Sequence, residues 1–232
     1  MISFKHYSFD LWLTLIKSNP EFKIARAKFF FKNYNSNHKN IEEVMAVFRR
    51  VDAMCNAINE KTGKNIDADE MYLMVISLLN DGETSFNQLD IDGLYVEMDS
   101  LLFNNMPVIF CKETIDILDS IKQRNNCTFN ISSNTAFIKG RSLRMVLTNL
   151  QLSPYFDFQL YSDEIGLSKP NKQFFELMLQ GVQNIYPDKN ISLNEIVHIG
   201  DNPRADIEGA NRIGIKSLLI NSNNITISSL LN

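Results

Sequence analysis

Between residues 112 and 220 the sequence switches repeatedly between two periodicities, and this alternation is its strongest constraint on fold. Apolar residues at helical spacing over residues 112–124, 139–150, 171–184 and 204–213 are separated by short apolar runs over 127–132, 158–161, 195–199 and 216–220. An earlier run over residues 4–10 has the same buried-strand character. Strands that recur one helix apart run parallel, because the crossover helix carries the chain back to the same end of the sheet. The expected fold is therefore α/β: a Rossmann-like, mostly parallel, doubly wound sheet with helices on both faces. In such a sheet ligands bind outside the carboxyl ends of the strands, where Asp10, Ser133-Asn134 and Gly200-Asp201 stand.

Residues 20–104 break the alternation. Phe22, Ala25, Phe29 and Phe30, then Val44, Val47, Phe48, Val51 and Cys55, recur at helical spacing, and two further helices are expected near 69–79 and 89–103. At 232 residues, with 44% hydrophobic and 22% charged, the chain has enough apolar material for a full α/β core plus this helical insertion. A formal charge of −4 with scattered Lys and Arg argues against a nucleic-acid partner. No basic leader precedes an apolar stretch and no run has bilayer length, so neither secretion nor membrane insertion is expected. Cys55, Cys111 and Cys127 are far apart and form no CxxC pair, which fits reduced thiols in a cytoplasmic protein. Cys127 reads as a small buried residue rather than a nucleophile.

The segment Gly200-Asp201-Asn202-Pro203-Arg204-Ala205-Asp206 stops a strand at a Gly-Asp pair and turns into a helix. Mg²⁺ takes one or two protein carboxylates and keeps waters or phosphate oxygens, so Asp201 fits a direct ligand and Asp206 a support behind it. Asp201 serves equally well as a cap on the helix opening near Pro203. Asp10 ends a strand expected beside this one, and converging carboxylates suppress each other's ionisation unless a cation joins them. With Mg²⁺ present, one Asp10 oxygen is free to attack phosphorus; otherwise Asp10 is a strand-end turn residue. Ser133 and Asn134 offer a hydroxyl and an amide to a phosphate oxygen, although Ser-Asn is also ordinary turn chemistry. Lys169 brings a fixed positive charge suited to phosphoryl transfer, and taken alone is a solvated lysine. His6 and His198 read as packed, hydrogen-bonded core groups. Arg26, Arg49 and Arg50 lie within reach of a cleft and read as solvated helix-surface residues.

Taken in order, Phe9-Asp10-Leu11-Trp12-Leu13-Thr14, Ser133-Asn134, Lys169-Pro170 and Gly200-Asp201 through Asp206 resemble the four motifs of the haloacid dehalogenase-like superfamily, over the whole chain. The resemblance implies a core of residues 1–17 and 105–232 and a helical cap of residues 18–104. It implies a Mg²⁺-dependent phosphatase acting on a small phosphorylated molecule. Asp10 would attack the substrate, with Thr14, Ser133, Asn134 and Lys169 contacting it. Asp10, the Trp12 carbonyl, Asp201 and Asp206 would form the Mg²⁺ site.

Two positions depart from the family pattern. Phosphatases of the family usually place a second Asp two residues after the nucleophile, to protonate the leaving group. Trp12 stands there, and an indole is no usable acid or base, a loss of roughly 10²–10⁴-fold in rate. Activated esters, acyl or aryl, are then the favoured substrates. The usual Gly before the Thr is Leu13, which predicts a turn of altered shape. Two alternatives follow from Trp12. One is a 2-haloacid dehalogenase, where an aromatic also replaces the second Asp but the metal motif is not needed. The other is a non-catalytic protein that binds Mg²⁺ and a phosphorylated ligand.

Overall fold

The computed structural model describes residues 4–187 and 191–231. Its centre is a five-stranded sheet of β1 (His6–Phe9), β4 (Thr128–Ser133), β5 (Phe158–Tyr161), β6 (Ile196–Gly200) and β7 (Lys216–Leu219). The order is β5-β4-β1-β6-β7 and every pairing is parallel. The chain winds outward from β1 through β4 to β5, then crosses back to β6 and β7, so the winding reverses beside β1. That reversal opens a crevice at the carboxyl ends of β1 and β6. Residues His6 to Phe9 and Ile196 to Gly200 are buried without interruption, as expected for strands covered on both faces.

The two faces of the sheet differ in chemistry. Tyr7, Phe9, Phe129, Ile131, Val197 and Ile199 turn to one side and form the main apolar cluster. Their strand neighbours His6, Ser8, Asn130, Ser132 and His198 turn to the other, fully buried, where they bond to one another. His6 Nε2 lies 2.8 Å from Asn130 Oδ1, Asn130 donates to Ser132 Oγ, Ser8 donates to Ser132, and His198 Nδ1 meets Ser8 Oγ at 3.0 Å. Both histidines are the hydrogen-bonded core groups that their strand positions predict.

The helices α1 (Pro20–Asn33), α2 (Ile41–Thr62), α3 (Ala68–Leu79) and α4 (Ile91–Asn104) precede the alternating region. Local signals start and stop them. Asn19 caps α1 ahead of Pro20, Asn40 and Glu43 form a reciprocal capping box on α2, and Gly63 ends α2 in the left-handed region at φ 68°. Val44, Phe48, Val51 and Cys55 of α2 are buried at three- and four-residue spacing and join a second apolar cluster with Phe30, Met71, Tyr72 and Leu94. Phe137, which follows β4, also belongs to that cluster. A two-stranded antiparallel ribbon, β2 (Ile16–Lys17) with β3 (Val108–Ile109), joins the chain where it leaves for these helices to the point where it returns. Two residues per strand leave no periodicity to read, and the sequence does not signal it.

The α-helices that follow are α5 (Thr114–Asn125), α6 (Gly140–Asn149), α7 (Ser162–Ile165), α8 (Lys172–Ile185) and α9 (Gly209–Arg212). The helix expected over 204–213 is split: Pro203–Glu208 form a wide π-helical turn, and only Gly209–Arg212 are α-helical. Among the described residues no helix is long and apolar enough to cross a membrane.

Candidate active site

Asp10, Asn134 and Asp201 each follow the last residue of an adjacent strand, β1, β4 and β6. Parallel pairing in register brings Phe9 opposite Ile131 and Ile199, so side chains 124 and 191 residues away from Asp10 in sequence converge on it. The Asp10 N–H continues the ladder by donating to the Ile199 carbonyl at 2.8 Å.

Lys169 is the hub. Only 1% exposed, its ammonium donates to Asp10 Oδ1 at 2.8 Å, to Asp206 Oδ1 at 2.6 Å and to the Ser132 carbonyl at 2.6 Å. That disposes of the solvated-lysine alternative. Asn134 fastens the Lys169 backbone on both sides, accepting from its N–H at 2.7 Å and donating to its carbonyl at 3.0 Å. The Asn134 amide is therefore engaged in holding Lys169, a use the sequence does not announce. Thr14, fully buried, donates to Asp10 Oδ2 at 3.0 Å. Both oxygens of Asp10 are thus fixed. Ser133 is also fully buried and donates to the Asn134 carbonyl.

Asp206 is held from three sides: by Lys169, by His198 Nε2 at 3.1 Å and by the Asn202 N–H at 3.0 Å to Oδ2. The wide turn after Pro203 bends its carboxylate back beneath Asn202. The helix cap is Asn202, whose side chain accepts from the N–H groups of Arg204 and Ala205. Asp201 is thereby excluded as the cap and its carboxylate is left over for the crevice. One carboxylate oxygen from each of Asp10, Asp201 and Asp206 lies within 4.8 Å of the others.

Three carboxylates around one ammonium leave an excess of negative charge. Burial pushes the Asp10 carboxyl up, with Lys169 opposing and Asp206 adding to the rise. Burial and Asp206 push Asp201 up to about 6. Burial acts on Asp206 too, yet Lys169 and His198 hold it well below the usual carboxylate range. Burial would strip the proton from Lys169, but Asp10 and Asp206 keep it charged. An all-oxygen set with surplus negative charge fits a hard divalent cation, whose own charge would let all three carboxylates ionise together.

The crevice opens into a cavity of ≈ 480 Å³ that reaches from Asp10 and Asp201 to helices α1 and α2. Trp12 is half-buried on its wall. Leu13 takes φ 58°, the left-handed conformation that glycine adopts freely, so the turn keeps a glycine-like backbone although a leucine stands there. The arginines divide. Arg50 is exposed, Arg49 lines the cavity, and Arg26 is 7% exposed, its guanidinium 4.2 Å from the Phe48 ring centre and 4.4 Å from that of Phe137. Arg26 is no solvated surface residue. The helical register placed it beside Phe22 and Phe30 on the buried stripe of α1, and that was the signal available in the sequence.

A family model described as haloacid dehalogenase-like hydrolase matches residues 73–220. The Rhythmically expressed gene 2 protein of Drosophila melanogaster is 27% identical over 115 residues, 47% of this chain and 40% of that protein. The pyrimidine 5'-nucleotidase YjjG of Escherichia coli (strain K12) is 30% identical over 108 residues, 47% of this chain and 43% of that one. The matched stretch spans less than half the length of either relative. Among solved structures, the HAD-hydrolase YfnB of Bacillus subtilis, bound to magnesium, superposes with a TM-score of 0.69 at 18% identity, covering 97% of this chain and 92% of its own. At that identity the likeness speaks to the fold, and the family model covers more than half of the chain. With a parallel sheet, a Lys-bridged carboxylate cluster at its carboxyl edge and these matches, the chain belongs to the haloacid dehalogenase-like hydrolases.

Proposed function

We propose that this hydrolase is a Mg²⁺-dependent phosphatase of small phosphorylated molecules, working through an aspartyl-phosphate on Asp10. The observation that carries the reading is the fixing of both Asp10 oxygens, by Lys169 and Thr14, at the mouth of a cavity lined by Asp201. The nucleotidase similarity supports a phosphorylated substrate. Residues 18–104 form the helical cap of this reading, which closes the cavity over a core of residues 1–17 and 105–232.

Asp10, the Trp12 carbonyl and Asp201 would hold the Mg²⁺, with Asp206 behind them. When bound, the ion would neutralise phosphoryl charge and hold the group against Asp10. Asp10 attacks phosphorus with one carboxylate oxygen, the ester oxygen leaves with the bonding pair, and water later attacks phosphorus to free the carboxylate. Lys169 stays charged throughout and stabilises the transferring group, while Ser133 and Asn134 shape the loop that carries it. No acid stands at Trp12 to protonate the departing oxygen, so acyl and aryl phosphates turn over faster than alkyl ones.

Trp12 favours one second reading, a non-catalytic Mg²⁺ and phospholigand binder. A dehalogenase fits less well, since it has no use for the Asp201–Asp206 pair. Hydrolysis of acetyl phosphate and p-nitrophenyl phosphate, with and without Mg²⁺, decides the matter. Metal-dependent turnover that Asp10→Asn abolishes supports the phosphatase. Rates equal to that variant's favour the binder, with a 2-haloacid assay to test dehalogenation.

A further inference from the structure

The far wall of the cavity holds a buried cation that no carboxylate touches. Arg26 is more than nine-tenths buried, and no carboxylate among the described residues forms an ion pair with it. Three rings surround the guanidinium: Phe48 at 4.2 Å and Phe137 at 4.4 Å, which meet each other edge to face, and Phe22 at 5.2 Å. Cation–π contacts offset only part of the cost of burying a charge that lacks an ion-pair partner. Aromatic rings offer the guanidinium N–H groups no oxygen, so these groups must find acceptors elsewhere. Nε has none. Tyr72 is close enough to share one hydrogen bond, and its own proton goes to the Phe137 carbonyl. Asp52 faces the same cavity and acts on Arg26 through space without touching it, and Glu60 is engaged by Asn202, so Lys23, Arg26 and Arg49 still outnumber the carboxylates on the α1–α2 wall. The opposite end carries the three carboxylates.

We propose that the substrate bears a second oxyanion, remote from the phosphate that Asp10 attacks, and that Arg26 receives it. This rests on the phosphatase reading, which puts the reacting phosphoryl group at the Asp10 end. A planar guanidinium fork suits a group offering two oxygens at once, as a carboxylate or a further phosphate does. Arg26 is then a specificity-determining residue whose desolvation is offset when that group docks. A phosphate ester of the same length with no second acidic group leaves it without such a partner.

Non-hydrolysable ligands test this without turnover. Calorimetry in the presence of Mg²⁺ compares alkylphosphonates of two to five carbons with ω-carboxyalkylphosphonates and α,ω-bisphosphonates of matching length. The wild-type protein binds one charged series at least tenfold tighter than its alkyl counterpart at one chain length or more, and the series showing the larger preference identifies the oxyanion. In Arg26→Met, which keeps an unbranched apolar stem against the rings, the preference falls below threefold while alkylphosphonate affinity changes less than threefold. Arg26→Lys, with a charge but no fork, retains an intermediate preference. Alkylphosphonate binding with no oxyanion preference in the wild type overturns the inference alone, and that comparison needs no variant to fold. A preference that survives in folded Arg26→Met overturns it as well. Failure of every phosphonate to bind overturns the phosphatase reading and this inference together.

Discussion

Trp12 and Leu13 sit within three residues of Asp10 and differ in what they change. Leu13 takes a left-handed backbone at φ 58°, where a leucine carries about 1–2 kcal/mol of local backbone cost that a glycine would not. Trp12 alters chemistry, since it puts an indole on the cavity wall where a proton donor would act. In the phosphatase reading its replacement is therefore informative. Trp12→Asp should raise kcat/KM for an alkyl ester such as glycerol phosphate, relative to p-nitrophenyl phosphate, by about tenfold or more, within the range for a positioned acid. An unchanged ratio would mean that leaving-group protonation is not what Trp12 limits. At this scale the sequence is legible where several residues stand in one order along the chain, as Asp10, Ser133, Lys169 and Asp201 do, since none of them is a signal taken alone. It is silent where the partner decides: nothing local says that Asn134 clasps the Lys169 backbone, that Asn202 displaces Asp201 as cap, or that Arg26 packs against Phe48 and Phe137.

Strands and their ends carry the site, and they were legible because parallel crossovers fix which ends align. The β5 strand lies at Phe158–Tyr161 as its apolar run predicts, and β6 lies beside β1 as the convergence of Asp10 and Asp201 requires. The start of β6's following turn was not legible. Pro203 and apolar spacing predict a plain helix, whereas a π turn forms because Asp206 is drawn back by Asn202, Lys169 and His198, contacts from three separate segments. The joint between strand and turn depends on Gly200. A Cβ there would stand 2.2 Å from Asp206 Cγ and Oδ2, and Asp206 has no slack, being fixed on all sides. Gly200→Ala should therefore lower stability by about 1–3 kcal/mol, the usual cost of overpacking. On the proposed metal site it should also weaken Mg²⁺ binding by tenfold or more, as displaced supporting carboxylates do. Urea unfolding and a calorimetric Mg²⁺ titration check both, and an affinity within threefold of wild type would show that Asp206 does not support the ion.

The polar face of the sheet joins these elements into one buried run, from His6 at the start of β1 through Asn130, Ser132, Ser8 and His198 to Asp206. Such a run stabilises the fold only while each member finds its partner, and its far end sets a pH limit on the whole molecule. Burial lowers the His6 pKa to about 4, with the Asn130 bond opposing. The unfolded chain, with histidine near 6.5, then binds more protons than the folded one between those values. Stability from neutral His6 is complete above about pH 6.5 and is lost as pH falls toward 4. The total is about 3 kcal/mol at roughly 1.4 kcal/mol per unit. Asp10 and Asp201 have raised folded pKa values and pull the other way over the same range, since the folded state binds their protons more readily. The wild-type profile alone thus mixes opposite slopes, and the difference from His6→Gln isolates the histidine. Gln can still bond Asn130 and Thr128, the two partners of the imidazole, but takes up no proton. Between pH 7 and 4.5 the urea-derived stability of the wild type should fall by about 2–3 kcal/mol more than that of His6→Gln. Parallel profiles would mean that His6 keeps an ordinary pKa, and that acid unfolding begins elsewhere in the molecule.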